Sequence, residues 1–371
     1  MIRPATLDDL DALVAIEERC FDSDRLSRRS FRHLLTRGRA ITLVIERDGG
    51  LCGYGMVLCN TGTSLGRLYS FAVDPGCRGL GLAQHLLLAC EQAALARDCV
   101  TLRLEVRPDN VAAIRLYERN GYRRFGVHED YYEDHAEALR YEKPLAPHLQ
   151  PDLAVVPYYQ QTLDFTCGPA ALMMAMKALQ PRLRLDRKLE LRLWRESTTV
   201  FMTSGHGGCG PYGMALAAWQ RGFDVEVFVN DEGALFVDSV RSPDKKAVIT
   251  LVQEDFLDQL HALPVPLHHG AASLDRLQAA FAAGGIPIVL ISSYRIYREK
   301  FPHWVVVTGI DDRYVYVHDP FVDEEAGKTR MDCMSMPILK KDFQRMARYG
   351  KAGQRAALVI RRRARRRTAR S

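Results

Sequence analysis

The chain has 371 residues, 47% of them hydrophobic and 26% charged; that is the composition of a globular protein with enough length for two cores, and it excludes a disordered or fibrous chain. No apolar run reaches the length that spans a bilayer, and the start, MIRPATLDDLDALVAIEERC, is acidic and amphipathic where a secretory leader would be basic and then apolar, so cytoplasmic residence is the expectation. The net charge of +6 comes from the last eleven residues, RRRARRRTARS, which hold seven arginines and no acid; the body is nearly neutral, so all the excess positive charge is terminal.

In chain order, ATLDDLDALVAIEERC carries apolar residues at helical spacing, with Thr6 and Asp9 placed as a capping box. AITLVIER, the turn DGG and LCGYGMVLC read as a hairpin. RLYSFAV is a strand, GLAQHLLLACEQAALARD a long helix and VTLRLEV a strand. NVAAIRLYERNGY is a helix ending at Gly121, and EALRYEKPL closes the half as a strand. Prolines at 144, 147, 151 and 157 discourage both helix and sheet, so the domain seam is expected there. Beyond it, a helix follows Cys167, with helical patterns near 186–195, 212–221 and 273–283. The strand-like runs VEVFV, IPIVLIS, HWVVVTGI, YVYVHD and AALVIRR come late. Helices followed by strands suggest an α+β domain.

Within the first half, FAVDPGCRGLGLAQHLLL sets a strand, a glycine-rich turn and a helix in succession. Arg78, Gly79, Leu80, Gly81, Leu82 and Ala83 would let backbone N–H groups approach an anion at a helix N-terminus. A bare strand–helix turn would look similar. With this loop, the stretch LEVRPDNVAAIRLYERNGY and the order of elements, residues 1–145 resemble the GNAT acyl-CoA N-acetyltransferases, above all the ribosomal-protein alanine N-acetyltransferases; Arg78, Gly81 and Ala83 match the family's Arg/Gln-x-x-Gly-x-Gly/Ala loop. The resemblance implies an α/β fold with a mixed central sheet flanked by helices, and acetyl-CoA as co-substrate. It also implies that Phe71, Ala72 and Val73 offer strand backbone to the pantetheine arm, that residues 78–83 hold the pyrophosphate and that Asn110 contacts the cofactor near the acetyl group. Tyr117 would protonate the departing thiolate, and Glu105 would stand as candidate general base for an α-amine. The plainer readings are a packing aromatic for Tyr117 and a strand-end surface charge for Glu105.

The second half turns on QQTLDFTCGPAALMMAMKAL. Nine cysteines, at 20, 52, 59, 77, 90, 99, 167, 209 and 333, are odd in number and irregularly spaced. Neither a disulfide framework nor a metal site is therefore expected, and most should be small buried residues. Cys167 differs. Gly168-Pro169 opens a helix behind it, which puts the sulfur at the positive end of a helix dipole and favours thiolate. Gln161, six residues earlier, could share an oxyanion with the Cys167 backbone N–H. His303 opens one apolar strand and Asp319 ends the next, so a hairpin would bring them together and the carboxylate could orient the imidazole. Gln161, Cys167, His303 and Asp319 in this order resemble the papain-like peptidases that process bacteriocin precursors after double-glycine leaders. The likeness covers YYQQTLDFTCGPAALMM and HWVVVTGIDDRYVYVHDP, and is less clear over 181–285. Cys209 in SGHGGCGPYG also precedes a helix, but Thr203 stands where a glutamine would be needed. His206 would line a cleft or be exposed. His318 should point away from Asp319, and His268 and His269 receive no role.

The expected organisation is a GNAT domain over 1–145, a linker over 146–156, an α+β papain-like cysteine peptidase domain over 157–360 and a disordered tail over 361–371. The expected activity is bifunctional: acetyl transfer to a peptide or protein amine, and peptide hydrolysis through a Cys167 thioester. Three alternatives stand beside it: a non-catalytic peptide-recognition half, amide-bond formation by the same thioester, and a modifier docked on RNA, the ribosome or an acidic partner through the arginine tail.

Overall fold

A computed structural model describes residues 1–36, 40–146, 153–198, 207–231, 234–237, 240–325 and 328–363. The chain divides into two compact units, Met1–Gln150 and Pro151–Ser371. The arginine tail beyond Arg363, and Thr203 and His206, lie outside the described residues.

The first unit runs β1 (Ile2–Pro4), α1 (Leu10–Cys20), α2 (Arg28–Thr36), β2 (Ala40–Arg47), β3 (Gly50–Cys59), β4 (Leu65–Val73), α3 (Leu82–Ala96), β5 (Thr101–Val106), α4 (Val111–Arg119), β6 (Arg123–His128) and β7 (Ala138–Pro144). The sheet order is β1-β2-β3-β4-β5-β7-β6. Only β4 and β5 are parallel, because α3 crosses between them. The capping box forms as the sequence implies, with Asp9 accepting from the Thr6 N–H at 2.7 Å. Its first turn, however, is a 3-10 turn over Leu7–Asp9, and α1 starts after it. One face of the sheet packs on α3, through Leu86, Leu87 and Cys90. The other packs on α1 and α2, through Leu13, Ile16 and Phe31.

The second unit runs α5 (Cys167–Leu179), α6 (Arg187–Ser197), α7 (Pro211–Gln220), β8 (Phe223–Val229), α8 (Pro243–His261), β9 (Leu267–His269), α9 (Leu274–Ala282), β10 (Ile286–Ser292), α10 (Tyr294–Tyr297), β11 (Pro302–Ile310), β12 (Tyr314–His318), β13 (Met336–Leu339), α11 (Lys340–Met346) and β14 (Ala356–Arg362). The sheet order is β13-β12-β11-β10-β14-β8-β9. Alternation along β10 sends Ile286, Ile288 and Leu290 to the core beneath α5–α8, and Val289 and Ile291 to the core beneath α9 and α11. The α+β architecture is as expected, but helices and strands interleave instead of falling into two blocks. The longest helix, α8, escaped the sequence reading because its apolar residues are scattered round the helix and Val248 and Leu251 stay exposed. Residues 154–156, assigned to the linker from the prolines, are bonded to the second sheet. The Ala154 N–H donates to Thr308 O at 2.8 Å, and Val156 O accepts from His318 Nε2 at 2.8 Å.

Helix α7 approaches the end of α6 closely at Gly213. A Cβ there would stand 2.8 Å from Ser197 Cα and 2.9 Å from Ser197 O, and backbone cannot yield as a side-chain tip can. Gly213→Ala should therefore lower the second unit's stability by about 1–3 kcal/mol, read as a lower urea midpoint for that unit's transition.

Candidate functional site

In β4, Met56 pairs with Ser70 and Val57 with Leu68, which leaves Tyr69 as an extra residue. Such a bulge bends its strand. Parallel pairing with β5 covers only Leu65, Gly66 and Arg67, opposite Thr101, Leu102 and Arg103. Past the bulge Phe71, Ala72 and Val73 pair only with Gly55, Tyr54 and Gly53 of β3. Their other edge faces the wedge that opens between β4 and β5. Val73 O meets the Arg78 guanidinium, with Nε at 3.3 Å.

Residues 78–83 lie at the mouth of α3. Gly79 and Gly81 have φ of +79° and +73°, a conformation that costs glycine nothing. Apart from the adjoining backbone, no described atom lies within 4 Å of the place a Cβ would take at either residue. The loop is therefore open, with the first N–H groups of α3 behind it. Asn110 caps α4, its Oδ1 accepting from the Ala113 N–H at 3.1 Å. Tyr117 is buried in the core under the sheet. Burial, and after it the Cys90 sulfur, push its phenol far up, so the hydroxyl stays protonated.

Glu105 is not a surface charge. Its Oε2 accepts from Arg67 Nε at 2.9 Å, with both side chains 5% exposed. Arg67 also donates to Tyr131 Oη at 2.6 Å. Glu105 Oε1 is buried with no partner. Burial first, then the Glu105 charge, push the Tyr131 phenol up. Sequence reasoning missed Arg67 and Tyr131; the available signal was an arginine in mid-strand, which needs a buried counter-charge.

In the second unit, His303 and Asp319 are brought together. Their strands pair in a register that sets Val306 against His318, and His303 Nε2 lies 2.5 Å from Asp319 Oδ1. His303 is 1% exposed and Asp319 0%. Tyr297 Oη donates to Asp319 Oδ2 at 2.6 Å, and the Phe321 N–H donates to Oδ1 at 2.9 Å. Burial works against charge on both partners, but each sustains the other. Against desolvation, the Asp319 charge and hydrogen bond, then Cys167, lift His303 from 6.5 to about 10. Against the same penalty, His303, Tyr297 and the Phe321 N–H hold Asp319 below its ordinary value. With Nε2 on Asp319, the ring nitrogen left for the Cys167 thiol is Nδ1.

Cys167 is the first residue of α5 and is half-buried. The loop before it is held by Glu190 of α6, a fully buried carboxylate that the sequence reading passed over. It accepts from the Thr162 N–H at 2.8 Å, Thr162 Oγ1 at 2.7 Å, Thr166 Oγ1 at 2.5 Å and Tyr159 Oη at 2.9 Å. A glutamate between Leu189 and Leu193, on the apolar face of its helix, was the missed signal. Gln161 is buried, and its backbone N–H donates to Pro320 O at 2.9 Å, next to Asp319. One hydrogen of its side-chain amide is on Leu163 O at 2.9 Å, and Oε1 has no partner.

Cys209 is buried. Burial, then the Cys167 sulfur, push its thiol well up. Its Sγ faces Trp194 O, and its carbonyl accepts from Trp304 Nε1 at 3.0 Å. It is a neighbour of Cys167 with no imidazole among these partners. His318 bridges Val156 O and the Ser335 N–H, away from Asp319. His268 stacks on Phe228. Among the described residues no group of three or more His, Cys, Asp or Glu could hold a metal ion, and no helix is long and apolar enough to cross a membrane.

Residues 10–122 match the acetyltransferase (GNAT) family and residues 156–361 the Peptidase_C39 like family, DUF3335. The chain is 31% identical over 139 residues to a Bacillus subtilis (strain 168) protein described as a candidate ribosomal protein bS18 alanine N-acetyltransferase, across 37% of this chain and 89% of that protein. It is 34% identical over 140 residues to an uncharacterized N-acetyltransferase of Methanocaldococcus jannaschii, across 38% of this chain and 88% of that one. The crystal structure of the ribosomal-protein-S18-alanine N-acetyltransferase from Escherichia coli aligns over 39% of this chain and 93% of its own, with 27% identity and a TM-score of 0.36.

The His303–Asp319 pair makes stability depend on pH. A raised imidazole contributes in full below its unfolded pKa and loses that contribution as pH climbs through the folded value. A depressed carboxyl contributes in full above its unfolded pKa and loses it on acidification. From pH 6.5 to about 10, wild-type stability should fall relative to His303→Gln, by on the order of 1 kcal/mol per pH unit. Urea titrations of both proteins across that range check it.

Proposed function

The chain belongs to the GNAT acetyltransferases through its first half and to the Peptidase_C39 like family through its second, and from that premise we propose a bifunctional enzyme that acetylates a peptide or protein amine from acetyl-CoA and hydrolyses peptide bonds with Cys167. The peptidase reading is supported by one observation: His303 is sealed from water, paired with Asp319, and raised in pKa by the Cys167 sulfur at the first residue of α5.

In the first half, the residues fit acetyl-CoA. The open glycine loop 78–83 and the N-terminus of α3 suit a pyrophosphate, and the unpaired edge of Phe71–Val73 suits an amide-bearing arm. Bound acetyl-CoA supplies an activated acetyl group and a thiolate leaving group. Glu105 takes the proton of the incoming amine on its unpartnered Oε1 while Arg67 holds Oε2. Tyr117, kept protonated by burial, donates to the departing sulfur. Asn110 stands at the head of α4, beside the reacting end. The ribosomal-protein relatives favour an α-amine acceptor.

In the second half, Cys167 Sγ attacks the scissile carbonyl, and the carbonyl oxygen meets the Cys167 N–H and the remaining Gln161 amide hydrogen. His303 holds the thiol's proton and delivers it to the leaving amine. It then takes a proton from water as water opens the thioester. Asp319 keeps the ring in place and balances its charge throughout. The product is a new α-amine, the acceptor class of the other half, so one peptide can serve both reactions.

Cys167→Ala should abolish cleavage of lysate peptides and leave acetyl transfer unchanged, and Tyr117→Phe should do the reverse with a loss of about 10²-fold or more. Mass spectrometry of termini and acetyl groups reads both. Iodoacetamide labelling of Cys167 should slow about tenfold or more in His303→Ala; an unchanged rate would remove the nucleophile reading and leave a recognition module.

A further inference from the structure

The sequence Arg348-Tyr-Gly-Lys-Ala-Gly-Gln-Arg355 folds back on itself after α11. The Tyr349 N–H donates to Gln354 O and the Gln354 N–H to Tyr349 O, each at 2.8 Å. The turn between them needs glycine, with φ of +72° at Gly350 and +66° at Gly353. In an antiparallel pair of this kind the next residues outward face each other on the same side, and here those residues are Arg348 and Arg355. Like charges set opposite one another destabilise a strand pair.

Among the described residues no carboxylate, carbonyl or ring pairs with the side chain of Arg348 or Arg355. Burial, then the Arg348 charge, depress Arg355. The two line an open cleft of about 350 Å³ together with Asn230, Ala271, Ala352 and Gly353, at the lower end of the size of small-molecule sites. Arg355 and Ala271 also border an adjoining cavity of about 230 Å³, whose wall includes Leu274, Leu277, Val289 and Phe343. These apolar residues belong to the core beneath α9 and α11. Helix α5, which carries Cys167, packs on the opposite face of the sheet. The cleft is thus a second site, remote from the sulfur.

We propose that this cleft binds a small organic oxyanion, a carboxylate or phosphate ester, whose charged head lies between Arg348 and Arg355 and whose short apolar body enters the Leu274–Phe343 cavity. Paired guanidiniums present several donors in a plane that matches either head group. The ligand supplies negative charge, and its body meets a wall whose Leu277, Val289 and Phe343 are core residues. Two cations side by side repel each other in the empty protein, and an anion between them relieves that repulsion.

The test uses the full chain and calorimetric titration with hexanoate, butyl phosphate, inorganic phosphate and hexanol. Hexanoate or butyl phosphate should bind saturably, and the tighter of them identifies the head group. Inorganic phosphate and hexanol should each bind about tenfold more weakly or not at all. Arg348→Ala and Arg355→Gln should each weaken the organic anion about tenfold or more. Ligand-free Arg355→Gln should unfold at the wild-type temperature or above, because the Arg355 bonds to Asn230 use only its backbone. The proposal is overturned if neither organic anion binds, if inorganic phosphate binds as well as they do, if either arginine variant binds like wild type, or if Arg355→Gln markedly lowers the unfolding temperature.

Discussion

Asp319 has no surface in water, and a carboxylate in that position must be ringed by donors or lose its charge. It meets the requirement with His303, the Tyr297 hydroxyl and the Phe321 N–H. Each of these donors comes from a different piece of chain: β11, α10, and the segment that leaves β12. The geometry of the proposed catalytic centre is in this sense a consequence of one buried charge. The donors that keep Asp319 ionised also orient the imidazole, and the imidazole is left with a single free nitrogen for the thiol.

A second buried carboxylate does the matching work on the cysteine side. Glu190 collects four hydrogen bonds from Tyr159, Thr162 and Thr166. These residues flank Gln161 and run up to Cys167, so the loop that carries both is held by a helix on the same side of the sheet. The Cys167 loop and His303 thus rest on separate acidic anchors. The Gln161 N–H on Pro320 O ties the two together.

The first unit follows the same logic in a different architecture. The bulge at Tyr69 parts β4 from β5, and the wedge that opens is closed at its base by the Arg67–Glu105 pair. Burying that pair is tolerable because Tyr131 takes a further donor of Arg67. One Glu105 oxygen is left over, buried and without a partner. The arginines at 348 and 355 are the reverse case, charges with no counter-charge among the described residues.

Local pattern determined a good deal by itself. The capping box at Thr6, the glycine loop at 78–83, the helix opening at Cys167 and the strands bearing His303 and Asp319 are set by residues close in sequence, through helix and strand periodicity and the demands of turns. The tertiary structure alone decided which charges would be paired. Glu105 reads as a surface residue until Arg67, 38 residues away, is seen on it; Glu190 reads as part of a solvated helix until the 159–166 loop closes over it. Helix α8 gives no clear stripe because its apolar residues do not gather on one face, and residues 154–156 look like linker until their hydrogen bonds to β11 and β12 appear. The physical reason is common to the two glutamates and to residues 154–156. Periodicity is a property of neighbouring residues, whereas the cost of burying a charge or an open backbone group is settled by partners that only the folded chain brings within 3 Å.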